Sequence, residues 1–148
     1  KESIKNEAGL VNLAKLNCLA GEKAMASASF SSAIVYLKAG ISILNEGHLK
    51  MDNELYIKMY VLSAEAEYCI GNFIEMKKTL DFVLTEAGCL DDKLRAYSTL
   101  VHALGAQNKM NEAIEIGLDV LAQLGEEFPS IPDYSYTIKD HLKTKKML

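Results

Sequence analysis

The sequence predicts an all-α fold, a right-handed α-solenoid of about three antiparallel helix pairs. Three observations carry the prediction. Apolar residues recur at helical spacing from about residue 5 to about residue 124, and no segment shows strand alternation bounded by hairpin turns. Both prolines, Pro129 and Pro132, sit near the C-terminal end, so nothing upstream breaks a helix by ring closure. The helices also fall into pairs that align with one another.

Each element has its own signal. Leu10, Leu13, Ala14, Leu16, Leu19 and Ala20 give a broad apolar face to a first helix over about 5–26. Phe30, Ala33, Ile34, Leu37, Ile41 and Leu44 mark a second over about 29–45. Asp52-Asn53 caps a third, which runs through Leu55, Met59, Leu62 and Ala66 to about residue 70. Gly71 then stops it, and Asn72 with Glu75 three residues on forms a capping box for a fourth helix over about 73–87, ended by Gly88. Asp91-Asp92 opens a fifth with Leu94, Tyr97, Leu100, Val101 and Leu104. Met110, Ala113, Ile114, Val120, Leu121 and Leu124 form a sixth over about 110–124, before Gly125.

The second helices of the pairs align on Phe30, Phe73 and Met110, in steps of 43 and 37 residues. Ala33, Met76 and Ala113 then coincide, as do Leu37, Leu80 and Gly117, then Gly40, Val83 and Val120, then Ile41, Leu84 and Leu121. Nine residues before the anchor lie Gly21, Ala64 and Val101, mostly small residues where two helices can cross closely. Glycine inside a helix costs about 1 kcal/mol relative to alanine, so Gly21, Gly40, Gly105 and Gly117 read as close helix contacts.

These pairs resemble the tetratricopeptide repeat, a helix pair of about 34 residues. The turn Gly71-Asn72-Phe73 and the phrase Lys109-Met-Asn-Glu-Ala-Ile114 carry the likeness. The family's tryptophan column reads Asn17, Tyr60 and Tyr97 here, and its proline column reads Asn45, Gly88 and Gly125. A narrower resemblance covers about residues 10–130. Ala24-Met-Ala-Ser-Ala-Ser-Phe30, Ala64-Glu-Ala-Glu-Tyr68, Leu94-Arg-Ala-Tyr97, Ala113-Ile-Glu-Ile-Gly-Leu118 and Leu124-Gly-Glu-Glu-Phe-Pro129 look like the repeat region of large signalling ATPases and protein kinases. In that family kinase-like and ATPase domains precede the repeats. None of their motifs occurs in this chain, so the resemblance implies a non-catalytic middle piece flanked by other domains, and it brings no active-site residue with it. The chain opens on Lys1 and ends on Met147-Leu148, which reads as a piece of a larger protein.

Composition excludes several function classes. Apolar residues make up 49% and charged residues 24%, ordinary for a globular chain and too apolar for wholesale disorder. The net charge of −4 offers no broad positive field, so no nucleic-acid partner is expected. No apolar run approaches the ~18 residues of a membrane span, so no membrane partner is expected and the location reads as cytoplasmic. Cys18, Cys69 and Cys89 are widely spaced and, with His48, His102 and His141, never reach metal-ligand spacing. They read as buried, reduced cysteines. No phosphate loop occurs, so no metal, cofactor or catalytic residue is assigned. The carboxylates Glu65/Glu67 and Glu112/Glu115 read as solvated faces. Ser98 and His102, one turn apart, lack the orienting acid and oxyanion site that a triad needs.

One constellation points to a partner. In tetratricopeptide repeats the first helix of each pair lines the concave face where peptides bind. The corresponding inner-face positions here are Lys15, Lys58 and Arg95, then Cys18, Val61 and Ser98 one turn on, then Glu22, Glu65 and His102. A basic column of this kind can grip the carboxylates or phosphates of a protein or peptide partner, an acidic one included, while Glu22 and Glu65 stand close enough to neutralise it. The domain is thus expected over 1–125, in pairs of about 5–45, 52–87 and 91–124. A Pro-containing basic tail over 126–148 follows, with Tyr134 onward as the solvated start of a further helix. The expected function is that of a protein–protein interaction or regulatory module, with self-association through its apolar ends. The alternative is an effector-sensing domain that binds a small molecule in an apolar pocket between helices and regulates an attached ATPase or kinase.

Overall fold

The computed structural model describes residues 2–47 and 53–125. Among these the chain is all-helical: α1 (Glu2–Ala26), α2 (Phe30–Glu46), α3 (Asn53–Cys69), α4 (Phe73–Glu86), α5 (Leu90–Ala106) and α6 (Met110–Gln123). No described helix is long and apolar enough to cross a membrane. The expected basic tail over 126–148, and His48 within the α2–α3 connection, lie outside the described residues.

The aligned anchors Phe30, Phe73 and Met110 are the first residues of α2, α4 and α6. Local turn chemistry puts them there. Three-residue turns precede them, and the turns match bond for bond. Ala28, Gly71 and Asn108 each adopt the left-handed conformation, at φ of 56°, 78° and 60°. Each donates its backbone N–H three residues back, to Met25, Tyr68 and Gly105, at 3.0 Å. The next N–H, of Ser29, Asn72 and Lys109, reaches five residues back to Ala24, Glu67 and Leu104, at 2.8–2.9 Å. This pair of bonds is the Schellman motif, which satisfies carbonyls that the ending helix would leave bare.

The capping box at Asn72 does not form. The Asn72 amide donates instead to Glu67 Oε2 at 2.8 Å, and Glu75 pairs with Lys78 at 2.8 Å. A charge-assisted bond to a buried carboxylate outcompetes a neutral cap on an exposed helix end. α5 begins at Leu90, one residue ahead of expectation, so Asp91 and Asp92 sit in its first turn, where the helix dipole favours them.

Each helix packs against the next, α3 also touches α1, and α5 also touches α3. Among the described residues α2 does not touch α4, nor α4 α6. Two cores result. The first joins Ala14, Cys18, Leu37, Ile41 and Leu44 to Tyr56, Met59 and Leu62 of α3. The second joins Ile57, Val61, Met76, Leu80 and Val83 to Ala96, Leu100 and Ala103 of α5. Tyr60 and Phe82 belong to both, with ring centroids 4.4 Å apart. Full burial of each large side chain contributes about 1.5–3 kcal/mol.

Of the four glycines expected at close helix contacts, Gly21 and Gly40 are such contacts. A Cβ at Gly21 would lie 2.7 Å from Leu37, and one at Gly40 would lie 2.6 Å from Met59 Sδ and 3.3 Å from the Ala14 carbonyl. The expectation fails at Gly105 and Gly117, where a Cβ would meet open space. Both lie in the last two helices, and no described element packs beyond them.

Candidate partner-binding face

The predicted inner-face residues lie on α1, α3 and α5, the helices that touch one another in sequence. Packing of α3 on α1 brings Lys58 Nζ to 2.6 Å from Glu22 Oε1. Packing of α5 on α3 brings Arg95 onto Glu65 through two parallel bonds, Nε to Oε1 at 2.6 Å and Nη2 to Oε2 at 3.0 Å. Each cation therefore reaches back to the acid two turns along on the preceding odd-numbered helix, forming a ladder across the face.

Electrostatics follow the geometry. The hydrogen bond to Glu22 raises the Lys58 ammonium above its ordinary range, against the opposing effect of partial burial and of the Arg95 charge. The Glu65 bonds raise Arg95 likewise, with Asp92 and Glu22 adding to the effect. Glu22 thus acts on both cations, and the Arg95 charge bears on Lys58. All four remain partly open to water, so each pair contributes about 0–1 kcal/mol.

The structure does not gather all six predicted residues. Lys15 is exposed near the α1 end of the face. His102 is exposed on α5 and lines, with Ser98, a groove toward α6. Cys18 and Val61, expected to line the concave face, are buried at 3% and 1% because the following odd-numbered helix covers them. Only Ser98, on the last such helix, is exposed at that level. Burial pushes the Cys18 thiol up, with Lys58 opposing and Glu22 adding. Cys69 and Cys89 are exposed, contrary to the expectation of buried cysteines, and all three thiols are free.

Two polar clusters were missed in the sequence. Glu67, read as a solvated carboxylate, is 2% exposed. Its two oxygens accept from Lys38 Nζ of α2 at 2.9 Å and from the Asn72 amide at 2.8 Å. The signal was available, since Glu67 sits one turn from the apolar Ala64 and stands five residues before the turn asparagine. The second cluster is Tyr56, which donates to Asn45 Oδ1 at 2.6 Å and lies 3.3 Å from the Tyr60 hydroxyl. Burial, then the bond to Tyr56, pushes the Tyr60 phenol up to about 12.

Among the described residues no three His, Cys, Asp or Glu side chains converge as a metal site would require. A cavity of about 370 Å³ lies between α4 and α6, over Leu100 and Leu104 and flanked by Phe73, Ile116, Lys78 and Lys109. In comparison with known proteins, no family model, curated protein or solved structure matches the chain.

Proposed function

We propose that this chain is a non-catalytic protein–protein interaction module, a tetratricopeptide-like α-solenoid of three antiparallel helix pairs that serves a larger cytoplasmic signalling ATPase or kinase. The threefold Schellman turn and the contact order α1–α3–α5 support the architecture. One observation carries the function: the ladder of Lys58–Glu22 and Arg95–Glu65 presents cations on one face, in register, already matched to carboxylates. An acidic segment of a partner recognises the face by substituting its own carboxylates for Glu22 and Glu65. Arg95 offers a fork for a bidentate bond, while Lys15 and Lys58 act as point charges.

The ladder makes the test sharper than simple removal of charge. Glu22→Gln with Glu65→Gln releases Lys58 and Arg95 from internal competition. Oligoglutamate peptide should then bind up to about tenfold tighter to the full chain, in a salt-dependent manner, as the strength of exposed pairs allows. Lys15→Ala, Lys58→Ala and Arg95→Ala together should weaken binding with helicity intact. No gain in the first variant would sink the acidic-partner reading.

The cavity between α4 and α6 favours a second reading, an effector-sensing domain. Its apolar floor and a rim on which Lys77, Lys78 and Lys109 outnumber Asp81 and Glu112 suit a small amphiphilic anion. A thermal-shift screen with short-chain fatty acids should find stabilisers that Ile116→Lys abolishes. A screen without stabilisers would remove this reading.

A further inference from the structure

The groove between α5 and α6 corresponds, position by position, to two grooves that are already filled. In the first pair Ala14, Cys18, Leu37, Ile41 and Leu44 are buried in the core that includes α3. In the second pair Ile57, Val61, Leu80 and Ala87 are buried in the core that includes α5. Of their counterparts in the third pair, Leu94, Ser98, Gly117 and Leu121 line an open groove of about 330 Å³, together with Val101 and Val120, the counterparts of the buried Ala64 and Val83. Leu121 is 37% exposed, against 8% for Ile41.

The opposite end of the molecule carries what such a groove receives. α3 seats Tyr56, Met59 and Leu62 in the first core, at 7%, 0% and 5% exposure. Forty-three residues earlier in the alignment stand Leu13, Leu16 and Leu19 of α1, all large and apolar, at 47%, 63% and 51%. Rows of exposed leucine on one helix face mark an interaction surface.

We infer that α1 of a second copy of this chain docks in the α5–α6 groove, seating Leu13, Leu16 and Leu19 as α3 seats Tyr56, Met59 and Leu62. The inference rests on the stacked-pair architecture proposed above. The two surfaces differ, so the contact is head-to-tail and grows into open chains rather than closing as a twofold dimer. His102 stands where Glu22 and Glu65 stand, so the junction lacks the ladder's ion pair. A single helix in a groove also falls at or below the ~1,200 Å² end of specific interfaces, so the association is weak and concentration-dependent.

Sedimentation velocity of the full chain tests this. The weight-average mass should rise steadily with concentration. Leu16→Glu and Leu121→Glu, both at exposed positions, should each be monomeric with helicity unchanged. An equimolar mixture should form a two-chain species and stop there, because each variant keeps the surface that the other lacks. Leu13→Gln and Val120→Gln serve as second variants if a glutamate disturbs folding. A monomeric parent chain, self-association of either variant alone, or a monomeric mixture would overturn the inference. So would a Leu121→Glu variant that melts lower while the parent stays monomeric, the result expected if residues 126–148 of the same chain occupy the groove. Carbodiimide cross-linking of the same samples separates the two proposals. An intramolecular Lys58–Glu22 link with a monomeric parent would sink the association alone, whereas absence of that link would sink the stacking.

Discussion

Ala28 and Gly71 hold the same left-handed backbone conformation in equivalent turns, at φ of 56° and 78°, yet only one of them is a glycine. A Cβ in this conformation costs about 1–2 kcal/mol. The α1–α2 turn therefore carries strain that the α3–α4 turn does not.

Ala28→Gly should stabilise the chain by about 0.5–1 kcal/mol, because relief of the strain exceeds the extra freedom glycine gains when unfolded. Gly71→Ala should destabilise by a similar amount. Urea midpoints at constant m-value decide both.

Gly40→Ala should destabilise by about 1–3 kcal/mol through overpacking against Met59 and the Ala14 carbonyl. Gly105→Ala, with open space around it, should instead stabilise by up to about 1 kcal/mol. Opposite shifts in melting temperature are the expected result. Equal shifts would contradict the contacts at Gly40.

Removing Lys38 leaves the buried Glu67 carboxylate with the Asn72 amide as its remaining hydrogen-bond donor. Lys38→Met should cost about 1–3 kcal/mol, less than a fully buried pair because the lysine is itself half-exposed. Lys38→Met combined with Glu67→Met should recover much of the loss, as measured by chemical denaturation of both variants.

Alkaline stability should fall in two overlapping ways. A folded-state phenol raised to about 12 keeps its proton where the unfolded Tyr60, near 10, loses it. The stabilisation is therefore complete below pH ~10 and lost as pH rises toward ~12. Lys58, also raised, loses its contribution above its unfolded value of 10.5 in the same sense. Partial exposure limits the tyrosine effect to about 1–2 kcal/mol. Tyr60→Phe should flatten the decline above pH 10, and titration by phenolate absorbance should show one tyrosine ionising late.

Element existence was legible because it depends on local signals. The anchors Phe30, Phe73 and Met110 each follow a turn whose residues sit in register, and they start their helices where the alignment put them. Periodicity, however, says which face of a helix is apolar and not which neighbour covers it. Val61 and Glu67 were misplaced for that reason, as was Cys18 as a groove residue, though its reading as a buried cysteine holds: α1 and α3 are enclosed from more than one side, and their buried faces are wide. The ladder was half legible. Equivalent positions identified Lys58, Arg95, Glu22 and Glu65, but the offset of two turns between partners comes from how α3 rides on α1, a tertiary quantity. The left-handed state of Ala28 had no signal, since alanine does not announce it.

The restriction of contacts to neighbouring helices also governs how the chain reaches this structure. No described helix meets one further away than the next but one, so little loop entropy is lost before contacts form. Low contact order of this kind gives refolding in microseconds to milliseconds. Hydrogen exchange should be graded rather than uniform, with amides of α3 and α4 most protected and those of α1 and α6 opening by themselves. Pulse-labelling would then find partly folded molecules in which the middle of the chain is closed and either end is loose.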